Sequence, residues 1–507
     1  MKTIFSLVIS IFMLIACKPQ SNQYNIVDFG ATTDTTKLST SAINKSIEEC
    51  TKNGGGTVYV PKGIFYSGTI LLKSNVSLYL ETGAVIKGSR DTADYMIDGR
   101  KYGLILAKNC KNVTIEGHGQ INGNGTFFHD ATKPHLGGGG EAQYTRQGDD
   151  YMNLKYGIED GPIRYRYRPG MMVVFSRCEN VKVKDVTLRD TPEWTSRFAD
   201  CDNVEISGVS IQANLLIPNS DGLHCTNSRN IRISNCDIRC GDDAIIVSGF
   251  DDLVGVHGEV RKDDNVGERI GNKTGYAENV VVSNCLLQSR SAGIRVGYGE
   301  HNIRNCIFSN LVIYGSNRGI GVFARDTASI ENIQFSDIQI QTRLHKGSWW
   351  GKGEPIHVSC VAQKAENPVG TIKNIRFTNI NMTAETGVIV FSEEANKMDN
   401  IQFNNCQLLI KKSPIDLTYG GNIDLRPTVK PQMAVYKSDI PGFYVYNVSN
   451  FKMKDIEMNW ESNLASYFTD GLYCKNVIGG FIDNFAGKGA STSYKGMKLE
   501  NSKIDVD

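Results

Sequence analysis

Two short strings hold the densest polar chemistry in the chain: Pro218-Asn219-Ser220-Asp221-Gly222-Leu223-His224 and Cys240-Gly241-Asp242-Asp243-Ala244. Three carboxylates gathered in one patch repel one another, and the crowding raises the pKa of at least one of them. That supplies a protonated acid beside an ionised base, the division of labour that cleavage of a glycosidic bond needs. Each string is also a good turn signal, since Asn-Ser-Asp-Gly and Gly-Asp-Asp suit tight bends. Asp221 and Asp242 are 21 residues apart, about one coil of a stacked repeat. The spacing predicts that they share a face on adjacent rungs. His224 stands three residues after Asp221 and reaches the same side only if a bend intervenes, because residues three apart on a strand face opposite ways.

The elements that must position these residues are repetitive. An Asn followed by alternating β-branched residues recurs at Asn180, Asn203, Asn230, Asn279, Asn332, Asn374, Asn400 and Asn450, with looser copies at Asn112, Asn305 and Asn476. Several copies lie 23 to 27 residues apart, and longer gaps read as a coil plus an insertion. This period, with several short strands per copy, predicts a right-handed parallel β-helix, an all-β solenoid. A leucine-rich repeat is excluded by the missing Leu ladder, and a propeller blade by its longer period. Six residues after the repeat Asn, Cys236, Cys285 and Cys406 alternate with Val, Leu and Ile, so cysteine acts there as a small buried hydrophobe. Mostly free thiols are expected, and no Cys/His cluster has zinc spacing. Residues 41–50 read as an amphipathic helix capping the first coil. Excursions are expected near 127–168, 250–276, 342–358 and 410–445, within one catalytic domain spanning 25–507.

Lys+Arg 55 against Asp+Glu 54, in 507 residues, leave a formal charge of +1, which excludes a basic nucleic-acid coat. The chain opens with Met1-Lys2 and an apolar run from Ile4 to Ile15, which reads as an export signal over 1–16. Leu14-Ile15-Ala16-Cys17 resembles a bacterial lipobox. Cys17 is then expected to carry a lipid anchor, with 17–24 as a tether and the protein held at a membrane, periplasmic or on the cell surface. Oligomeric state is not legible.

The sequence resembles glycoside hydrolase family 28, the polygalacturonase family. The resemblance rests on "NIVDFGA" at 25–31, "GGGTVYVPKGIF" at 54–65, "LKSNVSLYLETGAVIKGS" at 72–89, Arg168-Pro169, Pro192-Glu193-Trp194 and the two acidic strings. It implies that Asp242 is the general acid, that Asp221 and Asp243 activate water, and that configuration inverts. Inversion implies carboxyl groups roughly 6.5–9.5 Å apart. No cofactor or resident metal is implied. Two family motifs depart. The Gly-His-Gly string falls on Ser291-Ala292-Gly293, with Ala292 where His would stand. The Arg-Ile-Lys string, which grips a uronate carboxylate, falls on Gly321-Val322-Phe323. Candidate substrate-binding residues are therefore Asn219, His224, His257, Arg295, Arg325, Arg168 and Trp350. Arg164, Arg166 and Arg168 alternate as if on one strand face, and Trp349-Trp350 offer rings for a sugar to stack on. The expectation is an inverting hydrolase, exo-acting, on a substituted pectic oligosaccharide or a sulfated galactan rather than plain polygalacturonate. Two alternatives remain: a Ca²⁺-dependent polysaccharide lyase or epimerase, and a non-catalytic glycan-binding solenoid.

Overall fold

The computed structural model describes residues 22–135, 139–151, 159–250 and 276–507. Cys17 with its leader, and His257 with most of the 250–276 excursion, lie outside the described residues. The body is the expected parallel β-helix. A 21-stranded sheet and a 13-stranded sheet run along it, all their strand pairs parallel, from Gln23 at one end to Val506 at the other. The helix Thr40–Lys52 (α1) buries Ala42, Ile43, Ile47 and Cys50 over the first coil, as its apolar spacing required.

The repeat asparagines are the corners of the coils. Asn180, Asn203, Asn230, Asn279 and Asn332 all take left-handed backbone, with φ between 57° and 59°. Asn tolerates that region because its short amide can bond locally. Stacking one coil on the next then lines the amides into a ladder. Asn180 donates to Asn112 (3.0 Å), Asn203 to Asn180 (2.7 Å) and Asn400 to Asn374 (2.8 Å). Five residues on, Asp185, Asn235, Asn284, Asn310 and Asn379 repeat the left-handed bend. Inside, one core cluster runs the length of the solenoid. Phe308, Phe335, Phe377 and Phe403 stack at 5.0, 5.0 and 4.8 Å, the spacing of the rungs themselves. All twelve described cysteines are free and buried.

Six consecutive strands of the 13-stranded sheet form the shelf that matters below. They are β1 (Ser196–Ala199), β2 (Leu223–Thr226), β3 (Ile245–Gly249), β4 (Ala292–Gly299), β5 (Arg318–Ala324) and β6 (Ile356–Cys360). Their core-facing column includes Leu223, Ile245, Ile294, Ile320 and Ile356. The residue after each of these faces outward, in the column Arg197, His224, Ile246, Arg295, Gly321 and His357.

Candidate active site

Three residues before each member of that outward column, the chain bends into its strand. These positions form a second column: Asp221, Asp243, Ala292, Arg318 and Glu354. Backbone bonds fix the stacking, with Gly222 N donating to Asp243 O (2.9 Å), Ala244 N to Ala292 O (2.9 Å) and Gly319 N to Glu354 O (3.0 Å). Asp221 thus stands opposite Asp243, and Asp242 lies one residue back, which corrects the expected pairing of Asp221 with Asp242. The two strings are both turns and a site. Asn219 takes left-handed backbone at φ 55°. Ser220 Oγ donates to Ile217 O and accepts from Gly241 N, both at 2.8 Å, tying the two bends together. Gly222 is obligatory, because a Cβ there would sit 2.3 Å from Ala244 O.

Asp242 is held by two amides: Asn219 N donates to Oδ2 (3.2 Å) and Asp243 N to Oδ1 (2.9 Å). Asp243 Oδ1 accepts from Ala292 N at 2.9 Å, so position 292 contributes its backbone rather than a ring. Asp221 Oδ1 is buried and meets no donor among the described residues. One oxygen from each of the three carboxyls lies within 4.8 Å of the others. That is closer than the separation expected for inversion, because Asp221 and Asp243 occupy adjacent rungs and Asp242 is joined to Asp243.

Burial governs the titration of this patch. It pushes Asp221 well above the usual carboxylate range, reinforced by the charges of Asp242 and Asp243 and opposed by Arg295. Asp242 rises to about 7, again chiefly through burial and then through Asp243, with Arg295 opposing. Asp221 and Asp242 are thus both drawn toward the protonated form, and such close neighbours exchange protons as a pair rather than singly.

The remaining candidates separate. His224 is drawn in, its Nδ1 3.8 Å from Asp221 Oδ2, its Nε2 2.9 Å from Ser248 Oγ, and its ring stacked on Trp194 at 3.9 Å. The bend at Gly222 lets residues three apart meet. Arg295 also faces the carboxyls, at 2.5 Å from Asp243 and 4.0 Å from Asp221. Arg325 does not reach the cleft as expected. It is fully buried, donates twice to Ser359 (3.0 Å each), and lies over the Phe323 ring. The row of three arginines is also corrected, since the strand Ile163–Tyr165 ends before it can align them. Arg164 pairs in register with Asp130, Arg166 lies 3.9 Å from Asp130, and Arg168 donates to Pro192 O at 2.8 Å beside Glu193. Trp349 is buried and donates to Asp160 O (3.0 Å), while the Trp350 ring lies under the Arg426 guanidinium.

Sequence reasoning missed a buried charged cluster two rungs beyond the acids, made of Arg318, Glu354, His357, Lys352 and Asp424. Its signal was an internal echo. Glu354-Pro355-Ile356-His357 repeats the acid-to-His spacing of Asp221 to His224, with the same 3.8 Å approach. The excursions roof this cluster. Gly351 N donates to Asp424 Oδ2 (2.7 Å), Arg426 to Trp349 O (2.6 Å), Gly347 N to Tyr419 (3.0 Å) and Arg146 to Ser438 O (2.6 Å). Segments 139–151, 159–168, 342–358 and 410–445 are thereby knitted into one wall beyond the acids.

A parallel β-helix bearing a walled patch of paired carboxyls is a platform for carbohydrate chemistry, and the comparisons agree. Residues 50–422 match the family model for glycosyl hydrolases family 28, and the chain belongs to that family. It is 32% identical over 251 residues to an exo-poly-alpha-D-galacturonosidase of Dickeya chrysanthemi, covering 44% of this chain and 41% of the relative. It is 28% identical over 264 residues to a probable polygalacturonase of Vitis vinifera, covering 48% and 47%. The chain thus spans about half the length of these curated relatives. Among solved structures, the family 28 exopolygalacturonase of Yersinia enterocolitica superposes with a TM-score of 0.62 at 18% identity, covering 96% of this chain and 78% of that one. An exopolygalacturonase of Thermotoga maritima gives 0.60 at 20%, covering 86% and 91%. These likenesses carry the fold.

Proposed function

We propose that the protein is an inverting glycoside hydrolase that removes residues from one end of a pectic oligosaccharide. The observation that carries this is the buried carboxyl triad set against a wall of knitted excursions. Asp242 carries the proton and gives it to the leaving glycosidic oxygen. Asp221 and Asp243 take a proton from water as it attacks the anomeric carbon. Inversion is drawn from family membership, because the close spacing of the carboxyls does not by itself select it. Exo action follows from the wall, which leaves a chain end rather than a chain middle to enter.

The substrate is a substituted pectic chain rather than bare polygalacturonate. At the positions of the family's carboxylate clamp stand Gly321 and Phe323, and the Phe323 ring lies back over Gly321. A uronate there loses charge-assisted bonds typically worth about 1.5–3 kcal/mol each. Incubation with bare and substituted pectic oligosaccharides and sulfated galactans, with product sizing and NMR of the first-formed anomer, tests the reading. Mixed-length products or retention of configuration would refute the corresponding step. The triad's oxygens are also close enough to hold a divalent cation, which keeps the Ca²⁺-dependent lyase as a second reading. Product absorbing in the ultraviolet and abolished by chelator would favour it. The lipobox supports a further proposal, that Cys17 anchors the enzyme to a membrane.

A further inference from the structure

The arginine beside the triad has a different task from the one its sequence position suggested. Arg295 is 4% exposed, and its guanidinium stacks on the Tyr298 ring at 4.5 Å. Its Nε meets Asp243 Oδ2 at 2.5 Å and its Nη2 lies 4.0 Å from Asp221 Oδ2, whereas no ion pair joins it to Asp242 among the described residues. The Nε contact is a charge pairing rather than an aligned hydrogen bond, since the Nε–H finds no acceptor in line. In the strand register its neighbours are Ile246 on one side and Gly321 on the other, neither of which supplies a competing charge.

We infer that Arg295 is a positioning residue that pairs with Asp243 and steadies the carboxyl triad, rather than a clamp for a substrate carboxylate. Paired with Asp243 and near Asp221, it sets a fixed positive charge against the water-activating side and offsets the mutual repulsion of the buried carboxyls. Asp242, with which it forms no ion pair among the described residues, is held instead by the amides of Asn219 and Asp243. Arg295 acts through a cation that keeps its charge across the working pH range, at a place where the family motif has lost its histidine to Ala292. The groups facing this arrangement are Asp221, Asp242, Asp243 and His224 from neighbouring rungs and Tyr298 from its own strand, with Arg318 and Arg325 beyond Tyr298. His224 lies against Asp221 and Trp194 and does not replace the cation. The inference rests on the hydrolase reading for its consequence in catalysis, but its electrostatic content can be read without turnover.

The test compares wild type, Arg295→Lys and Arg295→Met. The aspartate side chains are labelled with ¹³C at the carboxyl carbon and titrated by NMR, and rates on trigalacturonate and its methyl ester are measured against pH. Loss of a cation makes the ionised carboxylates less favourable, so their pKa values rise. In Arg295→Met the titrations of Asp221 and Asp242 are expected to move up by about 1–3 units, the usual effect of one opposite charge at contact. Any pH–rate profile moves alkaline with them, and kcat falls equally on both substrates. Arg295→Lys, which keeps a charge, restores most of the titration even if the methionine variant folds poorly. Unmoved titrations in both variants would overturn the inference, as would a rise in KM confined to trigalacturonate. Shifted titrations in a protein that cleaves no glycan would uphold the inference and remove the hydrolase reading instead.

Discussion

Replacing Asp242 with Asn should nearly abolish turnover and, at the same time, stabilise the protein above neutral pH. The side chain is 5% exposed, and its pKa of about 7 lies roughly 3 units above the ordinary 3.8. At 1.36 kcal/mol per unit, keeping it ionised in the folded state costs on the order of 4 kcal/mol. Its folded pKa is raised, so the folded state binds the proton more tightly than the unfolded chain. The cost is therefore absent below about pH 4 and complete above about pH 7. Asn avoids it, but its amide can accept only one of the two bonds from Asn219 N and Asp243 N, a loss of about 1 kcal/mol. The net expectation is about 2–3 kcal/mol of added stability at pH 8, shrinking to zero or slightly negative by pH 4. Activity should fall by about 10²–10⁴, the worth of general acid catalysis. Thermal melts of both proteins at pH 4, 6 and 8, with rates on the best substrate, check this. A difference in melting temperature independent of pH would refute the electrostatic account. Activity within a few fold of wild type would refute the acid assignment.

Asp221→Asn and Asp243→Asn should each be comparably severe, and the double variant little worse than either, because the three act as one unit; full additivity in kcat would show independent roles. Trp349→Ala should remove about 3–5 kcal/mol of packing from the wall and shift products from single residues toward mixed lengths, read by chromatography of early digests. Rapid cleavage of unsubstituted polygalacturonate would overturn the reading of Gly321 and Phe323. Cys17→Ser should move the protein out of the membrane fraction or stall its maturation, seen on fractionation of expressing cells.

The solenoid was legible in the sequence because its corners demand a left-handed backbone. Only a few residue types adopt that cheaply, so Asn recurs coil after coil at a readable period. The acids were legible for a related reason: two turn strings one coil apart must become neighbours when coils stack. Their pairing was not, since one residue of register decides whether Asp242 or Asp243 faces Asp221, and that register is set by the backbone bonds between the two bends and the strands that follow them. Arg325 shows the same limit. Its type and position suggested a ligand, but alternation about the β5 strand and the roof above it bury the guanidinium against Ser359. The wall was least legible of all. Asp160, Trp349 and Asp424 lie in three separate excursions, and no local pattern relates them; only packing brings them to one side of the shelf. Local backbone preference and stacking period wrote the scaffold into the sequence, whereas which side chains meet over it depends on contacts between segments hundreds of residues apart, which only the tertiary structure decides.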